Sequence, residues 1–321
     1  MTFAGSPDRV EAQLVPDAGY EIDFFRISGL PRRPSVELAR AVLLAGRAPR
    51  ACARILERRR PHVVLGGGGY VAGPMVYAAW RKRIPAALTE ADARLGLANR
   101  LAARFARRVF LAYEIPGRRP PRYQVVGRPI SARSHPRPRD EARARFGLPS
   151  NGAVLLVVGA RAGARALNEF AVEAFGSEGP HVLHISGERD YAELRPDVSR
   201  DDYVLVPVVD DFGSALGAAD LAVARAGGTV WELAAAGLPA ILVPYPFATG
   251  DHQLLNARHF ERGGGAVVVP ETRIGEVPGL ARQLLDDHDR LAEMSERMRA
   301  LARPDAARII AEELIELARP A

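Results

Sequence analysis

Short apolar runs rich in valine, isoleucine and leucine recur along the chain, each followed by a stretch with helical spacing. This alternation limits the fold more than any other feature. In the first half the runs are EIDFFRI (21–27), HVVLGGGG (62–69), IPAALTEAD (84–92), RVFLAYE (108–114) and YQVVGRP (123–129). In the second they are AVLLVVGA (153–160), HVLHISG (181–187), YVLVPVV (203–209), LAVARAG (221–227), AILVPYP (240–246) and GAVVVP (265–270). Strands this uniformly apolar are covered on both faces, the condition of parallel sheets flanked by helices. Two such series predict an α/β chain of two doubly wound domains, and 321 residues at 48% hydrophobic content supply a core for each. The polar, proline-rich stretch from Gly127 to Pro149 breaks the pattern and marks a hinge. The reading divides the chain into domains 1–127 and 128–300 and a terminal segment 301–321, where Ile310, Leu314 and Leu317 share one helical face.

Composition narrows the function classes. Without a run of eighteen apolar residues or a signal-peptide pattern, the chain reads as soluble and cytoplasmic. A single cysteine, Cys52, excludes an internal disulfide and a thiolate metal cluster. The net charge of +6 rests on arginine, since Lys82 is the only lysine. Arg32, Arg33, Arg40, Arg47, Arg50, Arg54, Arg58, Arg59 and Arg60 crowd one segment, which suits either an anionic surface or a solvated helix face. No aromatic residue interleaves with them, which argues against single-stranded nucleic acid.

In open α/β sheets ligands sit beyond the carboxyl ends of strands. Three strand exits are glycine-rich and lead into helices: LGGGGYVAGP (65–74), GARAGARALN (159–168) and ARAGGTVWELAAAG (224–237). Such turns let a backbone approach a phosphate and present a helix N-terminus to it. None has the spacing of a Walker loop or of GxGxxG. Glu232, one turn inside the third helix, has two readings from the residues alone: acceptor of ribose hydroxyls, or partner of the helix dipole.

The stretch ARAGGTVWELAAAGLPAILVPYPFATGDHQLLNA (224–257) resembles the donor signature of the MurG family, UDP-N-acetylglucosamine transferases that convert lipid I to lipid II. GGGGYVAGP, GLANRLAARFARRV, GARALNEF, HVLHISGERDY and VPVVDDFGSALGAADL are similar to that family in the same order. The resemblance covers almost the whole chain. It implies a GT-B fold of two Rossmann-like domains with an interdomain cleft, a terminal helix returning to the first domain, and inverting transfer from UDP-GlcNAc with no cofactor and no obligatory metal. It implies that Glu232 holds the ribose, that Arg225, Gly227 and Gly228 lie by the nucleotide, and that His252, Gln253 and Asn256 belong to the sugar-contacting motif. Gly159, Gly163 and Ala164 are implied near the diphosphate, where Arg161 either pairs with it or obstructs it. On the acceptor side, Gly67, Gly68, Gly69 and Tyr70 match the loop for the pyrophosphate of the undecaprenyl-linked muramyl-pentapeptide. The first domain is implied to dock on the inner face of the cell membrane, here through Val36, Leu38, Val42, Leu43 and Leu44 among the arginines.

Four departures from the family pattern bear on activity. The resemblance begins at the family's second strand, without the opening strand, the GGTGGH loop and the first helix. A central sheet position is therefore expected to be unfilled, and this form is expected to lack the histidine considered for general-base work. No histidine here has a matching context, which leaves the catalytic base unassigned, with Asp92 as a weak candidate. Thr89, Glu90, Ala91 and Asp92 replace HEQN, so a carboxylate that only accepts hydrogen bonds stands where an amide meets the donor sugar. Arg161 takes a serine position, and Arg128 and Ser131 replace an asparagine and a phosphate-facing arginine. The expected activity is lipid II synthesis. The alternatives are a paralogue with another UDP-sugar or acceptor, and a non-catalytic UDP-sugar binder or scaffold.

Overall fold

The computed structural model describes residues 1–29, 35–159 and 164–319, with backbone alone for residues 38–40. Arg161 and Gly163, with Arg32 and Arg33, lie outside the described residues, as do the side chains of Leu38 and Arg40. The chain divides into two compact units, Met1–Val126 with Arg308–Ala321, and Gly127–Ala307.

The first unit contains strands β1 (Phe3–Gly5), β2 (Ile22–Phe24), β3 (Val64–Gly66), β4 (Ala86–Glu90), β5 (Arg108–Leu111) and β6 (Tyr123–Val125). Its helices are α1 (Glu11–Asp17), α2 (Val36–Arg59), α3 (Gly69–Arg81) and α4 (Leu97–Ala102). The sheet is in two pieces. β3, β4, β5 and β6 pair in that order, all parallel, while β1 and β2 form a separate parallel pair. Among the described residues neither β1 nor β3 has a second neighbour. Helix α1 buries no residue, and Leu14, Phe24 and Leu65 are exposed. Phe25, Ile27, Cys52, Leu56, Val76 and Leu88 nevertheless share one core. Burial pushes the Cys52 thiol up to about 12, as befits a packing residue.

The second unit contains β7 (Val154–Val158), β8 (His181–Ile185), β9 (Tyr203–Val206), β10 (Leu221–Ala224), β11 (Ala240–Leu242) and β12 (Ala266–Val268). Its helices are α5 (Arg139–Arg145), α6 (Arg165–Phe175), α7 (Glu188–Leu194), α8 (Phe212–Ala218), α9 (Thr229–Ala236), α10 (His252–Arg262), α11 (Val277–Asp286) and α12 (His288–Leu301). The strands form one parallel sheet in the order β12-β11-β10-β7-β8-β9. Burial follows position: every residue of central β7 and β10 is buried, whereas edge strand β12 is half covered. This is the doubly wound order, and its direction reverses between β7 and β10.

Helix α13 (Ala306–Ala318) ends the chain. Ile310 is buried against Ala87, Phe110 and Val126, with Leu314 and Leu317 packed on the same cluster. Glu313 accepts from Arg108 Nε at 3.2 Å and from Gln124 at 3.4 Å, so an apolar stripe and a polar clamp hold residues 308–318 to the first unit.

Candidate active site

The reversal point between β7 and β10 is where a crevice opens at the carboxyl ends of a parallel sheet. A cavity of ≈ 670 Å³ lies there, lined by residues following five strands: Gly159 and Ala164 after β7, Arg189 after β8, Arg225, Gly227, Gly228 and Glu232 after β10, Tyr245 and Gln253 after β11, and Glu271 after β12. Arg128 and Ser131, from the start of the unit, close one side.

Glu232 is half-buried one turn inside α9. Its Oε1 accepts from the Ser134 hydroxyl at 2.5 Å, and Ser134 is itself buried. Burial raises the Glu232 carboxyl above its ordinary value, against the pull of the Ser134 hydrogen bond and the Arg128 charge. A carboxylate so placed is short of partners, and Oε2 receives no hydrogen bond from a described residue. That favours a ligand with hydroxyl donors over a purely helix-dipole role.

The cavity arginines are organised from behind. The buried Arg225 donates to the Val243 carbonyl at 3.1 Å, pairs with Glu271, and lies 5.6 Å from the Tyr245 ring centroid. Arg189 grips both oxygens of Asp190, at 2.7 and 3.0 Å, and that pairing lowers the Asp190 pKa. Asp190 in turn accepts from the Asn168 amide, whose oxygen accepts from His184 Nε2 at 3.1 Å. Because Asn168 Nδ2 also donates to the Ser186 carbonyl, its oxygen is the acceptor. His184 Nε2 therefore carries the proton, and Nδ1 accepts from the Tyr203 hydroxyl at 2.8 Å. Burial pushes His184 down to about 3, so the network is neutral at its core and anchors Arg189 at the cavity wall.

Of the residues expected at the donor site, Gly159, Ala164, Arg225, Gly227, Gly228, Glu232 and Gln253 line this one cavity. Gln253 accepts the Tyr245 backbone N–H at 2.9 Å through Oε1, and its amide nitrogen makes no bond to a described residue. His252 does not line the cavity: its Nδ1 is bonded to the Thr249 carbonyl at 3.0 Å. Asn256 is buried and donates to the Ala226 carbonyl at 3.1 Å, which fixes the backbone entering the glycine pair.

Asp92 lies in the first unit, beyond β4, where its N–H donates to Glu90 Oε1 at 3.3 Å. The Glu90 carboxylate also accepts from Gly96 N at 3.0 Å and Asn99 Nδ2 at 2.9 Å. Glu90 thereby organises the loop that replaces HEQN. Gly67, Gly68, Gly69 and Tyr70 form the exit of β3 into α3. Gly68 has φ 94° and Gly69 φ 67°, conformations that exclude ordinary side chains at little cost only when glycine is present. Tyr70 packs on the unit's core, with Arg9 5.4 Å above its ring.

Sequence reading missed Arg165, Arg189, Tyr245 and Glu271 as cavity residues, and Ser134 as the partner of Glu232. Arg165 sits inside the second glycine-rich stretch and the others lie outside one; proximity to a strand exit was the available signal for all but Ser134.

Residues 2–111 match the glycosyltransferase family 28 N-terminal domain, and residues 153–311 match the glycosyltransferase family 28 C-terminal domain. The chain is 39% identical over 330 residues to the UDP-N-acetylglucosamine--N-acetylmuramyl-(pentapeptide) pyrophosphoryl-undecaprenol N-acetylglucosamine transferase of Salinibacter ruber, covering 99% of this chain and 88% of that protein. The enzyme of the same name from Mycobacterium sp. (strain KMS) is 40% identical over 333 residues, covering 100% of this chain and 88% of that protein. The crystal structure of Acinetobacter baumannii MurG aligns at a TM-score of 0.77 and 27% sequence identity, covering 98% of this chain and 90% of that one. Two parallel-sheet units, with a cavity at the reversal point of the second, define a GT-B glycosyltransferase. Within that class the chain belongs to the MurG family of glycosyltransferase family 28.

Proposed function

We propose that this chain transfers N-acetylglucosamine from UDP-GlcNAc to undecaprenyl-pyrophosphoryl-MurNAc-pentapeptide, forming lipid II from lipid I. The observation that carries the reading is the convergence of Glu232, Gly227, Gly228, Gly159 and Gln253 on one cavity of nucleotide size in a chain of this family. Glu232 accepts the ribose hydroxyls. The turn before α9 receives the diphosphate on backbone N–H groups, and Gln253 offers its free amide to the sugar.

In the reaction an acceptor hydroxyl oxygen bonds to the sugar C1 as the C1–O bond to the diphosphate breaks, its electron pair passing to the phosphate oxygen. The acceptor proton goes to a base, and the donors at the diphosphate stabilise the departing UDP. Asp92, on the loop held by Glu90, is the described candidate for that base. The N-terminus of α3 with Gly67, Gly68, Gly69 and Tyr70 suits the acceptor pyrophosphate.

The proposed place of action is the inner face of the cell membrane, from the cytoplasmic side and without nucleic acid as partner. Supporting this, Val36, Val42 and Leu43 are exposed on α2, whereas Leu44 is half-buried. No described helix is long and apolar enough to cross a membrane. A basin in the same unit, lined by Trp80, Phe105, Tyr123 and six arginines (83, 104, 107, 108, 119 and 122) with no acidic residue, suits an anionic surface.

A second reading, a paralogue with another UDP-sugar, is favoured by Asp92 and by the Arg128–Ser131 exchange. Incubation with radiolabelled UDP-GlcNAc and a lipid I analogue tests both. Labelled lipid II analogue is the expected product. Preferential transfer from another UDP-sugar would establish the paralogue, and UDP-GlcNAc binding without transfer would establish a binder or scaffold.

A further inference from the structure

Four arginines line the cavity of the second unit, and three have carboxylate partners. Arg165 donates to Glu193 at 2.6 Å, Arg189 chelates Asp190, and Arg225 pairs with Glu271. Arg128 differs: its guanidinium makes no hydrogen bond or ion pair with any described residue, although the residue is half-buried. Glu232 feels its charge, but no ion pair joins them, and Glu232 Oε1 is occupied by Ser134.

The location of this fork is specific. A Cβ built on Gly228 would stand 2.6 Å from Arg128 Cζ, 2.7 Å from Nη2 and 3.0 Å from Nη1. Gly228 caps the N-terminus of α9, so its missing side chain lets the guanidinium lie on the backbone at the positive end of that helix. Two cationic features are thus stacked beside a carboxylate suited to ribose. Without an anion they have no counter-charge within bonding distance. A planar five-donor fork matches two phosphate oxygens, and no described carboxylate or hydroxyl occupies it.

We infer that Arg128 is the side-chain ligand of the donor diphosphate in this chain, supplying from position 128 the charge that position 131 lacks. The inference rests on the proposed nucleotide site. During transfer the same guanidinium meets the negative charge that grows on the departing diphosphate. Ser131, on the same side of the cavity, adds no charge, its hydroxyl accepting the Arg133 N–H at 3.2 Å.

The test compares UDP, by calorimetry, with uridine, by NMR titration, on the full chain and on Arg128→Gln, with thermal melting as the folding control. Loss of a charge-assisted, two-pronged contact predicts about a 10- to 100-fold weaker UDP affinity and unchanged uridine affinity. The UDP affinity of the variant also loses part of its salt dependence. Recovery of UDP affinity in the double variant Arg128→Asn, Ser131→Arg would show that the charge, rather than its point of attachment, is what counts. Equal weakening of UDP and uridine would overturn the inference, because Arg128 would then act through Glu232. Unchanged UDP affinity in Arg128→Gln would overturn it while leaving the nucleotide site standing. A folded wild-type chain that binds no UDP would overturn the nucleotide site itself, and this inference with it.

Discussion

Glu232→Gln tests the proposed ribose contact with little change of shape. In the structure one carboxylate oxygen accepts from Ser134 at 2.5 Å, and the other receives no hydrogen bond from a described residue. A ribose adds up to two hydroxyl donors, each bond to a charged acceptor contributing about 1.5–3 kcal/mol. Glutamine keeps one neutral acceptor, so a loss of roughly 2 kcal/mol, or about 30-fold in UDP affinity, is expected. Glu232→Ala removes both bonds and costs more. Calorimetry with UDP and with its 2′,3′-dideoxy analogue completes the cycle, since a ligand without hydroxyls is indifferent to the substitution. Stability moves the other way. The folded-state pKa of Glu232 is raised by burial, so the stability linked to its proton is present below the ordinary value of 4.5 and is lost as pH rises through the elevated value. At pH 7.5 the ionised carboxylate is a cost that glutamine lacks, and the unliganded variant should be at least as stable as wild type. A destabilised variant with equal loss for both ligands would refute the reasoning and return Glu232 to a packing role.

Three further outcomes are expected. His184 has a folded pKa of about 3 against an ordinary 6.5, so its stability contribution is complete above 6.5 and falls as pH drops toward 3. Between pH 7 and 5 wild type should lose about 2 kcal/mol more than His184→Gln in urea titrations, and equal losses would exclude the buried neutral imidazole. Asn256→Ala removes the donor to the Ala226 carbonyl and should cost roughly 1–3 kcal/mol of stability and weaken UDP binding. Urea unfolding without a change would show that the glycine turn holds itself. Replacing Val42 and Leu43 by serine should reduce sedimentation with anionic vesicles while leaving the melting temperature unchanged, and undiminished binding would remove α2 from the membrane surface.

All eleven apolar runs contain a strand, and the three glycine-rich exits open onto helices. A central parallel strand is buried on both faces, so its composition is a local signal that neighbouring residues carry together. Strand β1 escaped because three residues, Phe-Ala-Gly, have no pattern of their own; pairing of Phe3 with Ile22 makes them a strand. The two-piece sheet likewise needed the pairing to be seen.

Sequence alone determined the α/β class, two units, the terminal amphipathic helix, and the glycines and Glu232 that line the cavity of the second unit, because burial and turn geometry constrain residues near one another in the chain. Tertiary structure decided the strand order that sets the β7 and β10 exits side by side, the bond between Ser134 and Glu232 across 98 positions, and the resting of Arg128 on Gly228. These are contacts between distant segments, and a contact made only by folding leaves no spacing in the sequence from which to read it.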